Sequence, residues 1–218
     1  MHKGIWCPKN EKLTPKILIL GESHYGDVGS QGQESTGLTK EVIEQLLAGN
    51  IKDRWKEFFY KIAMSFGYKR DIDDIANFYN RVYFGNYVDV LCGVGEENNA
   101  IKYIKKNRIR YNNELFDFCN TKEIDIIICF SISVYNNSPT IELSGEKDYE
   151  FVLGTIGKER NIVRKTIFKK GPRVECEVGL YKDLILYGVR HPSCKGGYDY
   201  DQVYKFLTKE LNGYSVCK

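Results

Sequence analysis

Apolar residues in this chain follow two alternating periods. Ile17-Leu18-Ile19-Leu20 is apolar on both faces and stops at Gly21, and Ile124-Asp125-Ile126-Ile127-Ile128-Cys129-Phe130 and residues 184–189 repeat the pattern. Strands apolar on both faces belong inside a sheet that is covered on both sides, so these runs predict buried, mostly parallel strands. Residues 78–87 also have strand character. Between the strands the period lengthens to that of a helix. Val42, Ile43, Leu46 and Leu47 form one stripe, ended by Gly49-Asn50. Ile51, Trp55, Phe58, Phe59, Ile62, Ala63 and Phe66 form a second, ended by Gly67, since glycine just past a helix is its natural stop. On this spacing Trp55 and Phe58 belong to the core. Residues 96–120 read as a helix broken near Asn107. The last helix opens at Asp199, with Gln202 three residues on, and carries Val203, Phe206, Leu207 and Leu211.

Residues 162–168 and 174–181 flank Lys169-Lys170-Gly171-Pro172, which reads as a hairpin turn. Strands alternating with helices predict an α/β fold. The expected architecture is a single three-layer domain over residues 1–218. Its central sheet is mostly parallel and four-stranded, with helices on both faces and a β-hairpin inserted before the last strand. No repeat, linker or low-complexity tract divides the chain.

Composition narrows the class. A chain of 218 residues with 42% hydrophobic and 28% charged residues is an ordinary globular protein rather than a disordered one. No apolar run approaches the roughly 20 residues of a membrane span, and residues 1–8 lack the apolar stretch of a signal peptide. The expectation is a soluble, cytoplasmic, monomeric protein with no membrane partner. Seven cysteines are scattered without any pair at metal-chelating spacing. They are expected to be reduced, several of them buried as small hydrophobes, with no metal and no organic cofactor. A net charge of +3 neither demands nor excludes nucleic acid. The densest basic run, Lys102-Tyr103-Ile104-Lys105-Lys106-Asn107-Arg108-Ile109-Arg110, suits either a solvated helix face or a surface that tracks a DNA backbone.

Ligands of open α/β sheets bind at the carboxyl ends of the strands. Four segments are expected there: Gly21-Glu22-Ser23-His24-Tyr25-Gly26, Asn80 within Phe78-Tyr79-Asn80-Arg81-Val82, residues 131–137, and Arg190-His191-Pro192-Ser193. Two of the chain's 3 histidines, His24 and His191, fall in these segments. Gly21-Glu22-Ser23 after a strand is a poor nucleophile elbow. That motif needs glycine two residues past the serine, where Tyr25 stands, and the next helix begins too late. Gly26, Gly29, Gly32 and Gly37 match no phosphate-binding fingerprint.

In order and position these segments resemble the uracil-DNA glycosylase superfamily. Gly21-Glu22-Ser23-His24-Tyr25 is similar to the family's first motif, which reads Gly-Gln-Asp-Pro-Tyr-His in some members and Gly-Glu-Ala-Pro-Gly in others. Phe78-Tyr79-Asn80-Arg81-Val82 resembles the Tyr-Ile-Thr-Asn-Val segment of the iron–sulfur members. His191-Pro192-Ser193 matches the second, histidine-led motif just ahead of the last helix. The resemblance implies a monofunctional DNA glycosylase. It would flip a damaged or modified base out of DNA and hydrolyse its N-glycosidic bond, leaving an abasic site, with no cofactor. On that pattern Glu22, Ser23 and His191 are the catalytic candidates. Tyr25, Asn80 and His24 would bind the base, and Ser193, Lys195, Gly196 and Gly197 would press on DNA. His191 would stabilise the departing base anion, and Glu22 the sugar cation. Asn80 would read a base edge.

The departures from the family also carry information. Ser23 replaces the water-activating aspartate and His24 the proline, which leaves Glu22 or Asp27 to supply the missing charge. The cluster cysteines have no counterparts. Where a phenylalanine would stack on the base, near Gly37, the chain has Glu34-Ser35-Thr36, which would open the pocket to a bulkier base than uracil. Loss of the aspartate also leaves an alternative, a non-catalytic nucleotide- or DNA-binding module on the same fold.

Overall fold

A computed structural model describes residues 4–25, 29–51, 53–93, 100–138, 148–156, 158–173, 176–194, 197–212 and 217. Its strands are β1 (Ile17–Gly21), β2 (His24–Tyr25), β3 (Tyr83–Asn86), β4 (Leu91–Cys92), β5 (Ile126–Cys129), β6 (Asp148–Ile156), β7 (Glu159–Phe168), β8 (Gly171–Arg173), β9 (Cys176–Leu180) and β10 (Leu184–Gly188). The helices are α1 (Leu38–Leu47), α2 (Asp53–Met64), α3 (Ile72–Tyr79), α4 (Ala100–Lys122), α5 (Ile132–Asn137) and α6 (Tyr200–Glu210).

The runs apolar on both faces become the parallel middle of one sheet, ordered β3-β1-β5-β10-β7-β6. β1 lies parallel to both β3 and β5, and β5 to β10. Alternate side chains of these strands feed two separate cores. Ile17, Ile19, Ile126 and Ile128 pack with α1, α2, α3 and α6. Leu18, Leu20, Ile127 and Cys129 pack with α4 and α5 on the other face. Both faces are therefore apolar because both are roofed by helices. Cys119 and Cys129 lie wholly inside, and burial pushes their thiols far above the ordinary range. Among the described residues no helix is long and apolar enough to cross a membrane.

The sheet has six strands rather than the expected four. The parallel four are present, and antiparallel β7 and β6 extend them. The expected hairpin is also differently paired. β7 joins β6 and β10, while β8 and β9 form a small sheet of their own. Asp183 explains the path of the chain here. Its carboxylate accepts from Lys170 N at 2.9 Å and from Lys169 Nζ at 2.8 Å, which ties the end of β7 to the start of β10. Residues 78–79 are the last turn of α3, not strand. Asp71 caps that helix by accepting from Asp74 N at 2.9 Å, and Ile75, Phe78 and Tyr79 continue one buried helical stripe. The expected break in α4 falls at Asn107, where φ is −121° and ψ is 19°.

α6 is tied to the sheet by a carboxylate. Glu210 Oε2 accepts from Lys165 Nζ at 2.6 Å and from Tyr187 Oη at 3.0 Å. Burial alone would raise the Glu210 pKa, but the hydrogen bonds from Lys165 and Tyr187 outweigh burial and hold it below the usual carboxylate value. A depressed folded-state pKa stabilises the protein above the unfolded value, and that stability is lost as pH falls. Glu210→Gln is expected to cost about 1–2 kcal/mol at pH 7, with the deficit shrinking as the parent carboxyl protonates below about pH 4. Thermal unfolding of both proteins across pH measures this, and a deficit independent of pH would exclude the ionised contact.

Candidate functional site

β1, β3 and β10 deliver their carboxyl ends to one cleft with a cavity volume of about 150 Å³, room for a six-membered ring. Glu22, Ser23 and His24 enter it from the turn after β1, Asn86 from the end of β3, and His191 and Ser193 from the turn after β10. The apolar wall is made by Leu38 and Val42 of α1, Trp55, Phe58 and Phe59 of α2, and Phe84 of β3. Trp55 and Phe58 are therefore only partly core, contrary to their helical spacing. They sit at the rim of the α2 stripe, where the core opens into the cleft.

Asn86 pairs in register with Gly21 across β1 and β3. A methyl group at Gly21 would collide with Asn86 Oδ1, so glycine at this point lets the amide lie against the end of β1. His24 then holds it. Its Nε2 is 3.0 Å from Asn86 Nδ2 and 2.7 Å from Thr39 Oγ1. A ring nitrogen facing an amide N–H acts as acceptor, which puts the proton on Nδ1 and leaves the ring neutral. Burial favours the same state and pushes the His24 pKa down to about 4.

His191 is also neutral, with the opposite tautomer. Ser193 N donates to its Nδ1 at 3.1 Å, so the proton sits on Nε2, which has no protein partner among the described residues. Burial lowers the His191 pKa, and the nearby Glu22 charge opposes that only in part. The ring stacks on Phe58, with centroids 5.1 Å apart and planes 27° from parallel. The turn behind it is pinned to α2, because Lys61 Nζ donates to Pro192 O at 3.2 Å. Farther on, Tyr198 Oη meets Ser65 Oγ at 2.7 Å. The result is a fixed, uncharged N–H donor at the edge of an apolar cleft.

Glu22 Oε2 accepts from Ser131 Oγ at 2.7 Å, and the same hydroxyl caps α5 by accepting from Val134 N at 3.2 Å. Among the described residues Ser23 Oγ is buried with no hydrogen-bond partner, and no histidine nitrogen reaches it as a base. Tyr25 stands at the mouth of the cleft, 39% exposed. Ser35 and Thr36 line a small adjoining cavity of about 50 Å³ rather than the main cleft, so the aromatic surfaces come from α2 instead of that loop. Gly197 closes its turn with φ 85°. Asp27, Lys195 and Gly196 lie outside the described residues. Among those described, no group of three His, Cys, Asp or Glu side chains is placed to hold a metal ion.

Asn80 is not brought to this site. It caps the C-terminus of α3 at the amino end of β3, and its Oδ1 is buried without a partner among the described residues. The helical stripe of α3 runs through Phe78 and Tyr79 and delays the strand to Tyr83. The asparagine at the strand's carboxyl end is therefore Asn86. Its signal in the sequence was an asparagine closing the apolar run Tyr83-Phe84-Gly85.

Because the folded His24 pKa lies near 4, below its usual 6.5, the unfolded chain takes up the proton first. The stability linked to His24 is complete above about pH 6.5 and is lost as pH falls toward 4, on the order of 3 kcal/mol in all. In His24→Gln the loss of melting temperature over this window should be distinctly shallower. An unchanged slope would remove His24 as its source. Neither a protein-family model nor a curated protein sequence matches this chain.

Proposed function

We propose that the chain is a DNA glycosylase that receives a flipped base in the cleft and hydrolyses the bond from sugar to base. The observation that carries this reading is the composition of the cleft. One ring-sized, aromatic-walled space holds a neutral imidazole donor (His191), an amide (Asn86) and a carboxylate (Glu22). Breaking the bond between C1′ and the base nitrogen leaves the electron pair on the base and a cationic sugar, and water adding to C1′ then gives up a proton. A neutral N–H aimed at a base oxygen stabilises the developing anion without having to lose a proton of its own. Glu22 faces the opposite charge, steadying the cation and accepting from the attacking water. Asn86 offers a donor and an acceptor for a base edge.

The family resemblance also sharpens when the register follows the strand. Set against Tyr-Ile-Thr-Asn-Val, the segment Tyr83-Phe84-Gly85-Asn86-Tyr87 matches at both the tyrosine and the asparagine. DNA is the proposed partner. Uracil is the first substrate to test, and a bulkier modified pyrimidine, such as foreign DNA carries, is the second.

One observation favours the binding-module alternative. Glu22 is the sole carboxylate among the described residues lining the cleft, and one of its oxygens is already engaged by Ser131.

Base release separates the two readings. The substrates are DNAs carrying uracil, deaminated purines, oxidised bases, or hydroxymethylated or glucosylated cytosine, with alkali used to reveal abasic sites. Release from one of them, slowed on the order of 100-fold or more by His191→Ala, is the expected result. DNA binding without release from any would establish the module instead. Asn86→Asp should change which base is accepted, whereas Asn80→Asp should not. Equal effects of the two would remove Asn86 as the specific reader of the base.

A further inference from the structure

Five of the six cations of α4 lie in its first half, and the sixth, Lys122, is in its last turn. Between Ala100 and Arg110 lie Lys102, Lys105, Lys106, Arg108 and Arg110, with no acidic residue, while Glu114 and Asp117 fall in the second half. Lys102, Lys105 and Lys106 are exposed. No carboxylate among the described residues forms an ion pair with any of these three lysines. Arg110 differs, since it is bidentate to Asp89 at 2.8 and 2.9 Å and therefore serves as an anchor. Lys105, Lys106 and Arg108, with Asn137 of α5, line an open cleft with a volume of about 340 Å³.

This half of α4 lies at the end of the sheet that carries the candidate site. α4 leads into β5, so its start faces the strands' carboxyl ends. Asp89, the partner of Arg110, lines the small cavity that also contains His24 and Asn86. Gly32, whose N–H donates to Leu91 O at 2.9 Å, packs so closely on Tyr103 that a Cβ there would stand 2.9 Å from the phenol oxygen. The basic half-helix is thus coupled, through Asp89 and through the loop before α1, to the walls of the small cavity that adjoins the cleft. Its nine-residue run from Lys102 to Arg110 covers about 13 Å, the rise of roughly four base-pair steps.

We propose that the exposed lysines on the first half of α4 hold the phosphate backbone of duplex DNA beside the cleft. Charge complementarity selects a polyanion, and the absence of an exposed ring among the described residues of this surface selects the duplex. Grooves for single strands stack bases on aromatic side chains, but the exposed apolar residues on this surface are Ile101 and Ile109, and Tyr103 is half-buried. The surface is suited to contact phosphates and to leave the bases stacked. The inference rests on reading the cleft as the seat of a flipped base, but binding and base release are measured apart.

The test is fluorescence anisotropy of the full chain with a short labelled DNA duplex, titrated at several salt concentrations. Lys102→Ala/Lys105→Ala/Lys106→Ala should bind roughly tenfold or more weakly and lower the salt slope by about two to three, since each released phosphate contact contributes about 0.9. Lys102→Arg/Lys105→Arg/Lys106→Arg should keep the parent slope. Lys9→Ala/Lys12→Ala/Lys69→Ala removes the same charge elsewhere and should change the slope little. An unchanged slope in the first variant, or an equal fall in the control, would overturn the proposal. A single strand that binds more tightly and loses as much in the first variant would overturn the choice of duplex. If the parent releases no base yet the lysine variant loses duplex affinity, the inference stands and the glycosylase reading falls. If the parent releases a base and the variant binds as the parent does, only this inference falls.

Discussion

The site depends on a close approach between two neighbouring strands. Gly21 and Asn86 stand opposite one another in parallel β1 and β3, and only the missing side chain of Gly21 lets the Asn86 amide lie where it does. His24 completes the arrangement by bringing one nitrogen to Asn86 of β3 and to Thr39 of α1. Three segments distant in sequence are thereby held by one ring. An added methyl at Gly21 would therefore displace Asn86, and with it the contact that orients His24.

Desolvation sets the chemistry of the cleft. Both histidines are held neutral by burial, and their hydrogen bonds assign them opposite tautomers. His24 accepts at Nε2, and His191 accepts at Nδ1 from its own turn. One therefore acts as a positioning group, and the other keeps an N–H that no described residue engages, open to a ligand. The low dielectric that disfavours their charged forms also strengthens the hydrogen bonds a bound ring would make.

The aromatic residues of α2 join the core to the site. Phe59 packs on Phe84 and Tyr79 inside, while its neighbour Phe58 reaches outward to stack on His191. Helical geometry turns consecutive residues about 100° apart, so one helix supplies both the packing and the wall. α4 makes a comparable division along its length. Tyr111, Leu115, Phe116 and Cys119 of the second half are buried against the sheet, and the first half presents its lysines to solvent.

How much of this was legible in the chain varies with the range of the interaction. Runs apolar on both faces identified β1, β5 and β10 and the layers that roof them, because burial on two faces leaves a local mark. The break at Asn107 and the cap at Asp199 are likewise contacts within a few residues. Glu22, His24, Tyr25, His191 and Ser193 could be placed at strand ends for the same reason, and all line the cleft. Asn80 was misplaced because a short helix ending in Phe78-Tyr79 looks locally like the start of a strand. Whether Phe78 belongs to helix or sheet is decided by what packs on it, Phe66 and Tyr68 from the turn between α2 and α3. The pairing of β7 with β6 and β10, the opening of the α2 stripe into the cleft, and the meeting of Gly21, Asn86 and His24 were likewise decided only by tertiary structure. Side-chain periodicity reports which face of an element is buried, but not which partner buries it.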